Sequence, residues 1–136
     1  MKVCRVAMLG FGVAGRAFSR ILIDHLEEIR KKTGYDVRVT TIATATRGTL
    51  NDTGGIDLAE AIRQVEEEGR FDSEAPGRCD WSAMDVVEKA EYDVLLELTP
   101  LNIFTGQPAI DHIKRAMNRG KHVVSANKGP IAWAYR

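Results

Sequence analysis

Apolar residues along the chain follow two alternating patterns: short β-branched runs, and longer stretches in which they return every three or four residues. The first run, Val3 to Leu9, reads as a strand and breaks on Gly10-Phe11-Gly12-Val13-Ala14-Gly15. Ala14, Ala17, Phe18, Ile21, Leu22, His25, Leu26 and Ile29 then recur at helical spacing. Lys31-Lys32-Thr33-Gly34 closes that helix, with cations at its negative end and a glycine to stop it. A second strand is expected from Val37 to about Ala45, and Asn51-Asp52-Thr53-Gly54-Gly55 is turn chemistry. Asp57 with Glu60 has the spacing of a capping box and opens a helix that buries Leu58, Ala61, Ile62 and Val65.

From Gly69 to Asp80 the sequence has no period and contains Pro76-Gly77, so a loop is expected there, with room for no more than a poor edge strand. Ser82 and Asp85 repeat the capping-box spacing ahead of a short helix through Val86, Val87 and Ala90. Tyr92 to Leu98 is a strand whose apolar centre suits a position covered on both faces. Pro108 and Gly120 bracket a helix with the face Ala109, Ile110, Ile113, Ala116 and Met117, and Lys121 to Ser125 is a further strand.

Strands alternating with helices predict an α/β fold: a doubly wound parallel sheet of the Rossmann type with right-handed crossovers. Such sheets bind ligands beyond the carboxyl ends of their strands, where the winding reverses. Three segments should therefore converge: Gly10 to Gly15, Thr99-Pro100, and Ser125-Ala126-Asn127-Lys128.

The chemistry of the first segment is in its backbone. In Gly-x-Gly-x-x-Gly the first glycine permits the turn, the second lets a pyrophosphate approach, and the third brings helix against strand. Gly10, Phe11, Gly12, Val13, Ala14, Gly15 and Arg16 are accordingly the expected dinucleotide cradle. Arg16 points the same way, because a cation in a helix's first turn opposes the dipole unless an anion lies nearby. At the end of the second strand an NAD-selective site commonly carries an acid, and Ala45-Thr46-Arg47-Gly48 has none. Asp36 lies at the wrong end of that strand. Arg47, beside Thr44 and Thr46, suits a 2′-phosphate and favours NADP, with NAD remaining possible.

Bulk properties narrow the picture. The 136 residues set a prior of one domain, short for an enzyme with separate cofactor and substrate regions. Nineteen basic residues balance nineteen acidic ones, which gives no field to attract nucleic acid or an anionic membrane. Cys4 and Cys79 suggest neither a disulfide framework nor a metal cluster, and are expected as free thiols in a reducing compartment. His25, His112 and His122 lack ligand spacing and are expected in surface or packing roles, and Glu66-Glu67-Glu68 is expected as a solvated face. No metal site is expected. No run approaches a membrane span or a signal-peptide layout, and the expectation is a cytoplasmic protein.

Glu97-Leu98-Thr99-Pro100, Thr105-Gly106-Gln107-Pro108-Ala109, His112 and above all Gly120-Lys121-His122-Val123-Val124-Ser125-Ala126-Asn127-Lys128-Gly129-Pro130 resemble the amino-terminal part of the homoserine dehydrogenases. The resemblance covers essentially the whole chain. It implies NAD(P)H-dependent reduction of aspartate semialdehyde to homoserine, toward threonine, methionine and isoleucine. By position it implies that Thr99, Pro100, Ser125, Ala126 and Asn127 surround the nicotinamide half of the cofactor. It also implies that Lys128 is the catalytic lysine, bound to substrate and transferring a proton. The family often carries an acid where this chain has Ala45. Its substrate domain would lie beyond Arg136, so residues 1–136 are expected to be an NAD(P)-binding domain cut from a longer, homo-oligomeric parent, inactive alone. Another reductase of similar architecture and a non-catalytic nucleotide-binding module are the competing expectations. Asn127-Lys128-Gly129-Pro130 argues against the first, and charge neutrality gives the second no partner.

Overall fold

A computed structural model describes residues 2–99, 107 and 109–125. In chain order the elements are β1 (Lys2–Leu9), α1 (Val13–Thr33), β2 (Tyr35–Ala43), β3 (Thr49–Asn51), α2 (Leu58–Glu68), β4 (Arg78–Cys79), α3 (Ala83–Lys89), β5 (Val94–Glu97), α4 (Ala109–Asn118) and β6 (His122–Ser125). The strands form one sheet in the order β4-β3-β2-β1-β5-β6. β2, β1, β5 and β6 run parallel, as the alternation predicts. β3 and β4 extend that core antiparallel, so the sheet is mixed rather than wholly parallel.

The antiparallel extension follows from a turn that replaces the end of the expected second strand. Thr44 accepts the Arg47 N–H at 2.8 Å and donates to the Gly48 carbonyl at 2.7 Å, and Gly48 takes φ +100°. These side-chain bonds stop β2 at Ala43, two residues short of Ala45, and send Thr49–Asn51 back along it. Three residues are too few to show a period, so β3 has no signature in the sequence. β4 is the poor edge strand for which the Gly69–Asp80 loop left room, and it places Cys79 on a strand.

Alternation along β1 separates two cores. Val6 and Met8 face Leu22, Ile62, Val65 and Phe71 beneath α1 and α2, while Ala7 and Leu9 face Val86, Val87, Tyr92 and Ala116 beneath α3 and α4. The β1–β2 register slips between Val6 and Ala7, which pair with Val39 and Thr41 and leave Thr40 over as a bulge. Parity along β2 changes there, which is why Val39 and Ile42, three residues apart, share one core. Both expected N-caps form, but only one as a full box: Asp57 accepts the Glu60 N–H at 3.2 Å, and Ser82 and Asp85 form a reciprocal box at 3.1 and 3.0 Å. Glu60 leaves its half of the α2 box unmade and binds Arg63 instead.

Two helices sit rotated from their expected faces. α1 buries Gly15, Ser19 and Leu22, with Phe18, Leu26 and Ile29 partly covered, whereas Ala14, Ala17, Ile21 and His25 are exposed. The closest approach to the sheet is set by the small side of the helix, where the Ser19 hydroxyl bonds the Gly15 carbonyl at 2.8 Å. On α4 the expected Ala109, Ile110 and Ala116 are buried and Ile113 is partly covered, but His112 points inward with them and Met117 points to solvent. Among the described residues no helix is long and apolar enough to cross a membrane.

Candidate functional site

The carboxyl ends of β1, β2 and β5 open onto a crevice of about 530 Å³, lined by Gly10–Gly12, the Ala43–Arg47 turn, Ser82, Ala83, Leu98, Thr99 and His112. Each glycine of the loop has a separate job. Gly10 has φ +95°, and a Cβ there would lie 2.6 Å from the Leu98 carbonyl oxygen. Its N–H donates to Ala43 at 2.8 Å, so this one residue ties β2, β1 and β5 together at the floor of the crevice. A Cβ on Gly15 would meet the Gly10 oxygen at 2.9 Å and the Met8 sulfur at 3.1 Å, the contact of helix on strand.

Gly12 differs from both. A Cβ there meets nothing within 4 Å, so its missing side chain serves no packing purpose inside the chain. It caps α1 with no side-chain hydrogen bond, and the first turn of α1 holds no acid. The N–H groups of that turn and the positive end of α1, which runs to a kink at His25, therefore face open space at the crevice. Val13 and Ala14 on the same turn are exposed, Val13 by 80%.

Two arginines meet beside the loop. Arg16 donates to the Phe11 carbonyl at 2.9 Å and Arg47 donates to the same oxygen at 3.1 Å, while the Phe11 ring is buried against Phe71. The anion that Arg16 requires is a side chain: Glu66 binds it at 3.2 Å and also takes Arg20 at 2.6 Å. Arg20 first, then Arg16, holds the Glu66 carboxyl below the ordinary carboxylate range. Glu66 is thus a brace between α2 and α1 and not merely part of a solvated face. Arg47 pairs with no carboxylate among the described residues, and no acid stands in the Thr44–Gly48 turn. Asp36 lies at the other end of β2, clamped by Arg30 at 2.8 Å and Arg38 at 2.7 Å.

The opposite wall is built from side chains. Glu97, fully buried as the last residue of β5, accepts the Thr99 N–H at 2.9 Å and the Thr99 hydroxyl on Oε1. Its Oε2 faces Nδ1 of His112 at 2.7 Å, and His112 is itself 4% exposed. Ser125 pairs with Glu97 across the β5–β6 ladder, and its hydroxyl reaches the Glu97 carbonyl at 3.5 Å. Gly10, Phe11, Gly12, Arg47 and Thr99 therefore share one crevice, with Arg16 behind the loop and Ser125 beside Glu97. Pro100, Ala126, Asn127 and Lys128 lie outside the described residues.

Residue-type reasoning gave Glu97 no role of its own and left His112 to surface or packing. The available signals were a carboxylate ending an otherwise apolar strand and a histidine on the 109, 112, 116 line of an amphipathic helix. Neither says that the two meet across fifteen residues.

Comparison with known proteins points in one direction. No family model matches the chain. It is 34% identical to the homoserine dehydrogenase of Methanocaldococcus jannaschii over 131 residues, 96% of this chain and 38% of that protein. It is 28% identical to the NAD(+)-dependent homoserine dehydrogenase of Pseudomonas canavaninivorans over 94% of this chain and 36% of that protein. Among solved structures, a hyperthermophilic archaeal homoserine dehydrogenase mutant in complex with NADPH superimposes with a TM-score of 0.78 at 27% identity, covering 98% of this chain and 38% of that one. The chain spans between a quarter and a little over a third of the length of the curated relatives it matches.

Proposed function

We propose that this chain is the nucleotide-binding part of a homoserine dehydrogenase and that its crevice takes NADP(H). The observation that carries the reading is the pairing of a bare Gly12 at an uncapped helix start with Arg47, a guanidinium that no acid neutralises among the described residues. The α1 N–H groups suit the pyrophosphate, and Arg47, with Arg16 behind it, suits a 2′-phosphate beside the adenosine ribose. Arg16 is already paired with Glu66, so Arg47 is the cation at the Phe11 carbonyl that a phosphate would newly neutralise. Thr99, Pro100, Ser125, Ala126 and Asn127 are assigned to the nicotinamide half.

When bound, NADPH supplies the hydride. Reduction of an aldehyde such as aspartate semialdehyde leaves negative charge developing on oxygen, and Lys128 is assigned to stabilise and protonate it. The groups that hold the rest of the substrate are assigned to a further part of the same protein, a soluble homo-oligomer of the cytoplasm serving threonine and methionine synthesis. Support comes from relatives that all exceed this chain in length.

Calorimetry with NADPH and NADH tests the cofactor reading directly. Tighter binding of NADPH is expected, whereas tighter binding of NADH, or of neither, overturns it. In the longer protein, Lys128→Ala should lower turnover by about 10²–10⁴-fold with cofactor affinity nearly unchanged. Residues 1–136 alone should not oxidise homoserine, because orientation of the substrate is a large part of the rate.

A further inference from the structure

We propose that His112 reads the nicotinamide half of the dinucleotide through Nε2, with Glu97 as the residue that fixes its tautomer and aim; this rests on the crevice being the NADP(H) site. The donors around Glu97 define the arrangement. The Thr99 N–H can only donate, and it meets the same carboxylate that faces Nδ1 of His112 at 2.7 Å. With Glu97 ionised, its carboxylate accepts and does not donate, so Nδ1 carries the ring proton. In a neutral imidazole Nε2 is then an acceptor.

Nε2 lies across the ring from the bonded nitrogen, and the ring lines the crevice. Among the described residues the buried side-chain polar atom without a partner is Arg78 Nε, so Nε2 of His112 is not sealed unpaired in the core. With the ring neutral, it is a hydrogen-bond acceptor held at the crevice wall by a fully buried Glu97. The glycine loop and Arg47 occupy the β1–β2 side, which leaves the nicotinamide riboside for the β5 side, where Thr99 and His112 stand. Donors on that half of the cofactor are the ribose hydroxyls and the carboxamide N–H₂. A buried Glu–His pair kept only to stabilise the fold would instead be indifferent to which half of the ligand is present.

The test separates the halves by titrating the chain with NADPH and with adenosine 2′,5′-bisphosphate, which lacks the nicotinamide riboside. His112→Asn retains an N–H donor near the Nδ1 position for Glu97 but has nothing at Nε2. It should weaken NADPH by about tenfold, the scale of one hydrogen bond, and leave the bisphosphate unchanged. His112→Gln, whose amide reaches farther toward the Nε2 position, should recover part of the loss. Long-range ¹H–¹⁵N spectra of the unaltered chain should show the Nδ1–H tautomer, and Glu97→Gln should disturb it. Unchanged NADPH affinity in His112→Asn, equal loss of both ligands, or an Nε2–H tautomer overturns the proposal. Failure of the unaltered chain to bind either ligand overturns instead the reading of the crevice on which it stands.

Discussion

The two walls of the crevice are made by different means. On the β1–β2 side the shape comes from absent side chains and the polarity from backbone N–H groups, with Gly10 and Gly15 fitting because nothing else would. On the β5 side a carboxylate is taken wholly out of water and stabilised by three donors, two from Thr99 and one from His112. The first wall is cheap to build and, at Gly10 and Gly15, intolerant of an added Cβ. The second costs desolvation of Glu97 and is intolerant of any lost partner.

Gly10 and Gly12 should break the first wall in opposite ways. Gly10→Val places a side chain at φ +95° with its Cβ 2.6 Å from the Leu98 carbonyl, and both the dihedral and the clash are backbone problems that a rotamer cannot relieve. A loss of about 3–6 kcal/mol, on the order of strain plus overpacking, is expected in urea denaturation. Gly12→Val has open space and φ −80°, so its stability should stay within about 1 kcal/mol of the parent while NADPH affinity falls at least tenfold. A Gly12→Val chain that binds NADPH normally would move the pyrophosphate elsewhere.

Glu97→Ala tests the second wall. It strands the Thr99 and His112 donors and opens a void, with an expected cost of about 3 kcal/mol. A variant as stable as the parent would mean that the desolvation cost of the carboxylate already cancels its bonds. Arg47→Ala is smaller in its effect on the fold and specific in its effect on ligand. NADPH should bind about 1.5–3 kcal/mol more weakly, the scale of a charge-assisted contact, with NADH unaffected. Equal weakening of both would reduce Arg47 to a support for the Phe11 carbonyl.

The same contrast decides what the sequence could reveal. Gly10, Gly12 and Gly15 are close in the chain, and their roles depend on a turn that their own spacing forms. Strand alternation and the capping pairs at Asp57 and Ser82 are equally local, which is why most elements were legible. Contacts between distant elements were not. Glu97 with His112, and Glu66 with Arg16 and Arg20, join residues fifteen to fifty apart, and no periodicity encodes such a meeting. The buried face of α1 departs from its periodicity for a related reason: Ala14, Ala17, Ile21 and His25 keep helical spacing but lie on the side that Gly15 and Ser19 turn away from the sheet. β3 follows from Thr44 bonding Arg47 and Gly48 within a turn, a local side-chain event that hydrophobic periodicity does not register.

The smallest expected effect comes from the far end of the sheet, where Asp36 serves as a control on both walls. It is 6% exposed and bound by Arg30 and Arg38, neither of which touches the crevice. The hydrogen bond from Arg30, then that from Arg38, holds the carboxyl below its ordinary value against the opposing effect of burial. A folded-state value below the unfolded one, which lies near about 3.9, means that the stabilisation is complete above that pH and is lost as pH falls through the lower folded value. Asp36→Asn should therefore cost stability at pH 7, by about 1 kcal/mol because both guanidiniums are partly solvated. The gap between parent and variant should persist at pH 5 and narrow as denaturation is measured below about pH 4. NADPH affinity should not change, since the pair sits at the amino end of β2 and the ligand at the carboxyl end. A gap that is the same at every pH would assign the loss to packing and not to charge, and a drop in NADPH affinity would show that the two ends of the sheet are coupled.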